Sequence, residues 1–371
     1  MTDVKAALAV ALAFGVVACT TAKKPAAPSA ATAVKAPVLT ASRAPLAAED
    51  IRWEKWAPVG LDAAKIDWPA GAAWCRGKLY VVGSRKEAPP RGREALRLAT
   101  MVFYEIGPGG GREAATYPIS FGERANAALT VGSDNRLWLV GGYCTPPPIK
   151  TVPEGRLDFA PLGTPWGEVN AWKPGDAQLR VETALPVPRG DAGVCFGGGK
   201  LFVVGGAFDK AAPTDDKNKQ IHSYDPQDGL WTKFHDLKNG VLSPAVVVAQ
   251  NGLFIMGGKQ LVPSHLTNLV LRYDLLVFKW QRLESLPAPR AGAAAFVRGD
   301  YIYVLGGRET EGHATPGRMA ATSFRLHLKK KTWEELRTPL PEGSTLVAFD
   351  GDSFYVVGAA ATYRGRVVAR K

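Results

Sequence analysis

A short apolar run that ends in a glycine pair recurs along the chain, and this repeat restricts the fold more than any other feature of the sequence. It is complete at residues 137–142 (LWLVGG), 201–206 (LFVVGG), 253–258 (LFIMGG) and 301–307 (YIYVLGG), and degenerate at 79–84 (LYVVGS) and 354–359 (FYVVGA). The first glycines of successive copies are about 50 to 60 residues apart. A repeat of this period indicates a chain built from similar supersecondary units that stack against one another.

Other residues recur at fixed places around each glycine pair. A stretch of small residues precedes the pair, as in RGDAGVCFGGGK (189–200) and RAGAAAFVRGD (290–300). An aromatic residue and then a tryptophan follow it, and these pairs are Tyr224 with Trp231, Tyr273 with Trp280, and Phe324 with Trp333. The sequence of each unit therefore predicts four short strands. These are an inner strand of small residues, an apolar strand that ends at the glycines, and two outer strands with aromatic anchors.

This pattern resembles the Kelch repeat, whose units form the blades of a β-propeller. The resemblance covers residues 51–371 and implies an all-β fold, a six-bladed Kelch-type β-propeller with four antiparallel strands per blade. The last unit has room for only one strand after its glycine, and residues 52–60 (RWEKWAPVG) are similar to the outer strand at 332–341 (TWEELRTPLP). We therefore expect the N-terminal strand to complete the last blade and close the ring, so that residues 50–371 form one domain.

The first 49 residues predict an export signal and a tether. Residues 6–18 are an apolar run that is shorter than the roughly 20 residues of a membrane-spanning helix and typical of a secretory signal peptide. The run ends in Val-Val-Ala-Cys, which resembles the lipobox of bacterial lipoproteins. This resemblance implies cleavage after residue 18 and lipid attachment to Cys19, at the outer membrane or facing the periplasm. An ordinary signal peptide followed by a chance cysteine is the alternative. The leading region departs from the usual signal, since Asp3 opposes Lys5. Residues 19–49, rich in Ala and Pro, predict a disordered tether.

Three arginines begin predicted inner strands. Arg124, Arg189 and Arg290 start the inner strands of the second, third and fifth blades, and Asp191 is two positions after one of them. We expect strand starts near the axis to place these side chains around one mouth of the central channel, where converging guanidinium groups bind a carboxylate or phosphate. An arginine at this place is also common in the Kelch pattern, in which it hydrogen-bonds neighbouring loops, so a structural role is the alternative.

Patterns for catalysis and metal binding are scarce. The five histidines lack metal-ligand spacing, and neither a GxSxG nor an HExxH motif occurs. Cys75, Cys144 and Cys195 come from different units, so at most one pair can form. These absences favour a binding protein over an enzyme, and we expect no catalytic residues, metal or cofactor. The alternative is a sugar-acid epimerase, because Kelch-type propellers include the periplasmic N-acetylneuraminate mutarotase; the arginines with Glu123, Asp191 or Glu342 would supply its charged groups.

Charge and loop length indicate a binding module. Lys and Arg number 46 against 34 Asp and Glu, which gives a formal net charge of +12 and an isoelectric point of about 9.5 and permits acidic partners. Long segments join the second strand to the third in five units, the longest at 143–167, and long loops on a rigid scaffold usually carry function. We expect a lipid-anchored envelope protein that binds another envelope protein or an anionic glycan. Its membrane contact would be the lipid anchor only, and nucleic acid is not an expected partner.

Overall fold

Strands provide almost all the regular structure of this chain. The computed structural model describes residues 45, 47–86, 99–119, 123–144, 165–208, 214–309 and 320–369. The expected signal peptide, Cys19 and most of the expected tether lie outside these residues. Among the helices of the described part, none has the length and apolar character needed to cross a membrane.

The N-terminal half of the described chain contains β1 to β13 and one short helix. In chain order these are β1 (Glu49–Ala57), α1 (Leu61–Ala64), β2 (Trp68–Cys75), β3 (Lys78–Lys86), β4 (Ala99–Gly107), β5 (Gly110–Ile119), β6 (Arg124–Ala125), β7 (Ala128–Val131), β8 (Leu137–Val140), β9 (Tyr143–Cys144), β10 (Glu168–Trp172), β11 (Arg180–Ala184), β12 (Gly193–Gly197) and β13 (Lys200–Val204).

The C-terminal half begins with a 3-10 helix and contains β14 to β29. In chain order these are the 3-10 helix (Asp216–Lys219), β14 (Gln220–Asp225), β15 (Leu230–Asp236), β16 (Val241–Leu242), β17 (Ala245–Ala249), β18 (Gly252–Met256), β19 (Lys259–Gln260), β20 (His265–Leu266), β21 (Val270–Asp274), β22 (Lys279–Arg282), β23 (Ala294–Arg298), β24 (Tyr301–Leu305), β25 (Ser323–His327), β26 (Trp333–Leu336), β27 (Leu346–Phe349), β28 (Ser353–Val357) and β29 (Thr362–Ala369).

Most of these strands belong to antiparallel sheets of four strands. Sheets 1 to 6 are, from the inner strand outwards, β2-β3-β4-β5, β7-β8-β10-β11, β12-β13-β14-β15, β17-β18-β21-β22, β23-β24-β25-β26 and β27-β28-β29-β1. The first strand of every sheet lines one cavity, and each first strand contacts the first strand of the next sheet. This radial arrangement of sheets is that of a β-propeller.

The sheets present two faces with different connections. Neighbouring strands are antiparallel, as in sheet 4, where Gly252 at the start of β18 pairs with both Ala249 at the end of β17 and Asp274 at the end of β21. The turns between the first and second strands and between the third and fourth strands therefore emerge on one face, which we call the hairpin face. The connections between second and third strands, and those between sheets, emerge on the opposite face, which we call the loop face.

The second strand of each sheet is buried on both sides. All residues of β8, β18 and β28 are buried, because each sheet packs face to face against its two neighbours. Such a strand needs apolar residues at every position rather than at alternate positions. Outer-strand tryptophans add contacts between sheets: the indole N–H of Trp333 in sheet 5 donates to the carbonyl of Glu284, which follows sheet 4, at 2.9 Å.

Three of the four complete glycine pairs form junctions between neighbouring sheets. The backbone N–H of Gly142, at the end of the second strand of sheet 2, donates to the carbonyl oxygen of Arg189, which precedes sheet 3, at 2.9 Å. Gly141 has a φ of +58°, and a Cβ at this position would collide with the same carbonyl oxygen. The next two pairs make the same contact, Gly206 with Val241 and Gly258 with Arg290. The packing of sheet on sheet therefore explains why glycine recurs here.

A serine makes the corresponding contact in the degenerate first copy. Ser84 stands where the second glycine would be, and its hydroxyl donates to the carbonyl oxygen of Arg124 at 3.1 Å. The same hydroxyl accepts from the backbone N–H of Arg124 at 3.2 Å. Because a hydroxyl group is both donor and acceptor, it joins sheets 1 and 2 without a second glycine.

The N-terminal segment contacts two sheets. β1 pairs antiparallel with β29 from Glu49 opposite Ala369 to Ala57 opposite Thr362. Ordered contacts begin before position 49, where the tether was expected to end: the backbone N–H of Glu335 in β26 donates to Pro45 at 2.9 Å. The side chain of Ala47 is fully buried.

We predict that a methyl group at a sheet junction destabilises the protein far more than one at an open turn. Gly205 and Gly198 have φ values of +60° and +58°, but a Cβ at Gly205 would collide with the carbonyl of Val241, whereas a Cβ at Gly198 has no atom within 4 Å. Gly198→Ala should lower the free energy of unfolding by about 1 kcal/mol, the cost of left-handed alanine. Gly205→Ala should cost about 2 to 3 kcal/mol more, because the sheets must separate. Urea denaturation measures both, and equal losses would contradict the junction role.

Candidate functional site

The first strands enclose a cavity of about 550 Å³. Its walls are mostly Ala, Val, Gly and Leu side chains from all six sheets, because the inner strands crowd towards one axis. The volume lies in the usual range of small-molecule sites, roughly 300 to 1,000 Å³. Its end near the hairpin face is aromatic: Trp74 stacks on Tyr355 with 4.6 Å between ring centroids, and Phe349 packs near Phe296 at 5.6 Å.

The end of the cavity near the loop face carries a ring of turn residues. The first residue of each sheet to line the cavity belongs to this mouth ring, whose members are Ala70, Asn126, Asp191, Ser243, Gly292 and Thr345. Four consecutive members have left-handed backbones, with φ of +50° at Asn126, +54° at Asp191, +46° at Ser243 and +68° at Gly292. A non-glycine residue in this region is uncommon, and three in equivalent positions indicate that the surrounding contacts impose the conformation.

Backbone hydrogen bonds join these four residues from sheet to sheet. Each N–H donates to the carbonyl of the preceding member: Asp191 to Asn126 at 3.1 Å, Ser243 to Asp191 at 2.6 Å, and Gly292 to Ser243 at 2.8 Å. Four of the six mouth-ring residues are therefore joined by a continuous series of backbone hydrogen bonds across sheets 2 to 5. A binding site built on such a frame is pre-organised, which lowers the ordering cost of association.

Asp191 sets the electrostatic character of the mouth. It is the only carboxylate or charged side chain among the described residues that line the cavity. Burial raises the pKa of Tyr143 far above its usual range, and the negative charge of Asp191 raises it further. The phenol of Tyr143 stays protonated and donates to the carbonyl of Ala207 at 2.9 Å. A mouth with one carboxylate, one amide and two hydroxyl groups suits hydrogen-bond donors and cationic groups rather than anions.

The three arginines predicted to surround the mouth lie inside their own sheets instead. Arg124, Arg189 and Arg290 are 3%, 1% and 1% exposed, and none of them lines the cavity. Each guanidinium group donates to the carbonyl of the first glycine of its own repeat. These bonds are Arg124 to Gly141 at 2.6 Å, Arg189 to Gly205 at 2.9 Å and Arg290 to Gly306 at 3.3 Å. Each also reaches the third strand or the residue before it, for example Arg290 to the carbonyl of Thr322 at 2.9 Å.

This placement corrects the expectation of converging guanidinium groups. The carbonyl groups at the ends of the second strands have no partner in the strand ladder, and the arginines satisfy them. Burial lowers the pKa of Arg124 to about 9 and the pKa of Arg189 and Arg290 to about 10, so all three stay charged at neutral pH. The three arginines instead form hydrogen bonds within the scaffold, which is the alternative given by the Kelch pattern. The constant spacing of 16 or 17 residues from arginine to glycine is the sequence signal for it.

The carboxylates considered for acid and base catalysis are not brought together. Glu123 is 5% exposed and accepts from the indole N–H of Trp68 at 3.0 Å, and Glu342 is exposed on the turn before β27. Only Asp191 of the three lines the cavity. The described residues hold no group of three His, Cys, Asp or Glu side chains able to bind a metal ion.

The cysteines in the described part of the chain form no disulfide bond. Cys75 and Cys195 are buried and Cys144 is partly buried. Burial raises the pKa of Cys75 to about 11 and that of Cys195 to about 12. These thiols therefore remain protonated at neutral pH and are poor nucleophiles.

The long connections of the loop face are described only in part. The segment 259–268 is described throughout, and it includes the exposed side chain of Val262. Residues 87–98, 145–164, 209–213 and 310–319 of the other connections lie outside the described residues. In the longest connection, Trp166 packs on Arg124, whose guanidinium carbon lies 5.3 Å from the ring centroid.

Comparisons with known proteins identify relatives by sequence and by structure. The model of the KLHDC2/KLHL20/DRC7 Kelch-repeats domain matches residues 168–363, just over half of the chain. Kelch-like protein 25 of Xenopus tropicalis is 31% identical over 163 residues, which are 43% of this chain and 26% of that protein. Kelch-like protein terF of Aspergillus terreus is 28% identical over 198 residues, 50% of this chain and 41% of that protein. The chain thus spans well under half the length of these relatives.

A solved structure extends the likeness to most of the chain. The structure of YjhT superposes with a TM-score of 0.57 and covers 86% of this chain and 99% of its own. Its sequence is only 15% identical, so the likeness is one of fold.

We predict that His222 makes the stability of the protein depend on pH in the acid range. His222 is 5% exposed, and Arg189 donates to its Nδ1 at 3.4 Å. Burial, together with the charge of Arg189, lowers the pKa of His222 to about 4, below the roughly 6.5 of an unfolded histidine. The neutral imidazole therefore contributes its full stability above about pH 6.5, and this contribution is lost as the pH falls towards about 4, up to about 3 kcal/mol.

The variant His222→Asn should remove this part of the pH dependence, because asparagine accepts the same hydrogen bond and does not titrate. Urea denaturation between pH 4 and 7 measures the effect. The exposed His265, changed to asparagine, is the matched control and should leave the profile of the parent protein unchanged. An identical profile for His222→Asn would show that His222 does not carry the dependence.

Proposed function

Because the chain belongs to the Kelch-repeat family, we propose that it is a six-bladed β-propeller that works as a protein-interaction module of a bacterial cell envelope. Sheets 1 to 6 would be the six blades, and β1 would close the ring by completing the last one. Support comes from the antiparallel pairing of β1 with β29 and from the contact between the first strands of sheets 1 and 6. Closure by a strand from the opposite end of the chain protects the edges of both terminal blades.

The partner proposed is a protein bound at the loop face. The mouth ring is the observation that carries this proposal: it is a pre-organised frame that presents different side chains in equivalent positions, with Asp191 beside Asn126 and Ser243. The connections between second and third strands differ in length, and the strand ends that they join lie on the same face. A rigid frame with variable loops is the usual design of a protein-recognition surface. A carboxylate at the mouth favours a protein with donor or cationic groups over an anionic glycan.

The location proposed is the envelope of a bacterium, with a lipid on Cys19 as the anchor. Support comes from the sequence of residues 6–19, an apolar run of signal-peptide length followed by a lipobox-like cysteine. Two or more acyl chains on one cysteine would give firm attachment, whereas a single chain is marginal.

We predict that photo-crosslinking separates the two faces. A photoreactive residue at Val262, 44% exposed on the loop face, should form a discrete adduct with one envelope protein in living cells. The same residue at Asp228, exposed on the hairpin face of sheet 3, is the control and should form no such adduct. Mass spectrometry of the adducts identifies the partner. Equal labelling from both positions, or turnover of a sugar acid by the purified protein, would overturn the interaction-module proposal.

We predict that Cys19→Ser releases the protein from membranes. The substitution removes the only thiol that can accept the lipid, so the protein should move from the membrane fraction to the soluble fraction after lysis in high salt. Fractionation with immunodetection measures the change. Cys144→Ser is the control and should leave the distribution of the parent unaltered. Full retention of Cys19→Ser in a high-salt wash would contradict the lipid anchor.

A further inference from the structure

Three turns of the hairpin face share one backbone conformation. They join the third and fourth strands of sheets 3, 4 and 5, and each is closed by a hydrogen bond from its fifth residue to its first. These bonds are Gly229 N–H to Asp225 at 2.9 Å, Phe278 N–H to Asp274 at 2.9 Å, and Lys331 N–H to His327 at 2.7 Å. The donating residues have φ values of +71°, +56° and +58°. The three turns therefore correspond position by position.

The residues of the three turns differ sharply in chemistry. Residues 226–229 of sheet 3 read PQDG, residues 275–278 of sheet 4 read LLVF, and residues 328–331 of sheet 5 read LKKK. We call the second the apolar turn and the third the lysine turn. The same backbone accepts all three sequences, so the differences between them are not required by the fold.

The apolar turn exposes three large side chains at some cost to the fold. Leu276, Val277 and Phe278 are 67%, 59% and 65% exposed, and Trp280 beside them is 36% exposed. Phe278 occupies the left-handed position that glycine fills in sheet 3, where a bulky side chain is disfavoured. Large apolar side chains that are mostly exposed in a strained turn bury little surface within the chain, which indicates a surface that is covered when the protein works.

The lysine turn lies next to the apolar turn and gives the surface a positive charge. Lys331 donates to Gln281 of β22 at 3.4 Å, although the two residues are 50 positions apart. Lys330 and, on β22, Lys279 are also exposed. The acidic groups nearby are already engaged: Lys329 pairs with Asp300 at 3.3 Å.

Asp274, which begins the apolar turn, is held by that turn. Its carboxylate accepts from Arg272 at 2.9 Å and from the backbone N–H groups of Leu276 and Val277 at 3.0 and 3.1 Å. The balance of charge around the two turns is therefore positive.

The described N-terminal residues lie against β26. The N–H of Glu335 donates to Pro45, the N–H of Ala47 donates to Glu335, and the N–H of Thr338 donates to the carboxylate of Asp50. Pro45, Ala47 and Asp50 thus follow the direction of residues 335–338.

We infer that the hairpin face of sheets 4 and 5 docks on the surface of an anionic phospholipid bilayer. Leu276, Val277 and Phe278 enter the boundary between headgroups and acyl chains, and Trp280 lies at the level of the headgroups. The lysine turn contacts lipid phosphates, for which ammonium groups near a membrane surface have a favourable electrostatic energy. Three side chains projecting from one turn beside a cluster of lysines suit a fluid, anionic surface better than the flat, packed core of a protein interface.

This contact adds to the lipid anchor and orients the molecule. The inference rests on the proposed envelope location, but it does not need an acyl group on Cys19. With the hairpin face on the membrane, the loop face and the mouth ring point away from it, towards the partner.

An environment-sensitive fluorophore tests the contact directly. The full chain carries Cys19→Ser and Cys144→Ser, which leaves the buried Cys75 and Cys195, and a new cysteine labelled with a nitrobenzoxadiazole dye. Val277→Cys places the dye on the apolar turn, and Asp228→Cys places it at the corresponding position of sheet 3. Vesicles of phosphatidylglycerol and phosphatidylcholine should shift the emission to the blue at position 277 and leave position 228 unchanged.

Vesicle co-sedimentation of unlabelled Cys19→Ser protein measures the two contributions. Phe278→Gly should lower the affinity for phosphatidylglycerol vesicles about tenfold, because an inserting side chain is lost. Its midpoint of urea denaturation should stay the same or rise, since glycine suits the left-handed turn. Lys329→Gln, Lys330→Gln and Lys331→Gln together should lower that affinity about a hundredfold and leave binding to phosphatidylcholine unchanged. Leu230→Ser, 62% exposed on sheet 3, is the matched control.

The outcomes distinguish this inference from the proposed function. No shift at position 277, or equal shifts at 277 and 228, would overturn membrane docking by the apolar turn, and so would a discrete protein adduct formed by a photoreactive residue at position 277. Failure of crosslinking at Val262 or of release by Cys19→Ser would instead overturn the partner or the anchor and leave the vesicle result unaffected.

Discussion

The structure depends on a backbone hydrogen bond between neighbouring sheets that a side chain would obstruct. At the end of a second strand, the N–H of Gly142 or Gly206 donates to a carbonyl that precedes the next sheet. A Cβ on the preceding residue, Gly141 or Gly205, would collide with the same carbonyl. Close approach at this point lets the apolar second strands pack on both sides. Where the repeat departs from the glycine pair, as at Ser84, a side-chain hydroxyl makes the same connection. The junctions from sheet 1 to sheet 5 therefore keep the same contact, although the residue type that makes it differs.

The buried arginines complete this junction from within sheets 2, 3 and 5. Arg189 donates to Gly205 of its own sheet, while its own carbonyl accepts from Gly142 of the preceding one. One residue therefore ties the ends of two glycine pairs, and removal of its side chain would leave buried carbonyl groups without donors. The formal net charge of +12 includes these buried guanidinium groups, which are not accessible to a partner. The positive charge available to a partner lies elsewhere, in exposed lysines such as those of residues 329–331.

Repetition of the backbone places the functional information in the departures from the repeat. The mouth ring has the same conformation at Asn126, Asp191 and Ser243, yet only one of these positions is charged. The turns that end at Gly229, Phe278 and Lys331 have the same hydrogen bond and three different chemistries. One face therefore offers a carboxylate and long loops, and the other offers apolar and basic turns. Because the two faces differ in this way, we propose the membrane contact for one face and the partner protein for the other.

The amino-acid sequence by itself determined the class of fold and the position of its strands. The glycine pairs, the small-residue strands and the aromatic pairs predict a Kelch-repeat β-propeller, and this prediction is confirmed. These features are readable because each repeat encodes its own strands locally. The tertiary structure decided what the side chains do: it directs Arg124 into its own sheet and brings residues 275–278 beside residues 328–331. Spacing along the chain places a Cα atom near the axis, but it does not say where a long side chain finds an acceptor. Nor does it say which turns of different repeats become neighbours, because that depends on contacts between units rather than on the pattern within one.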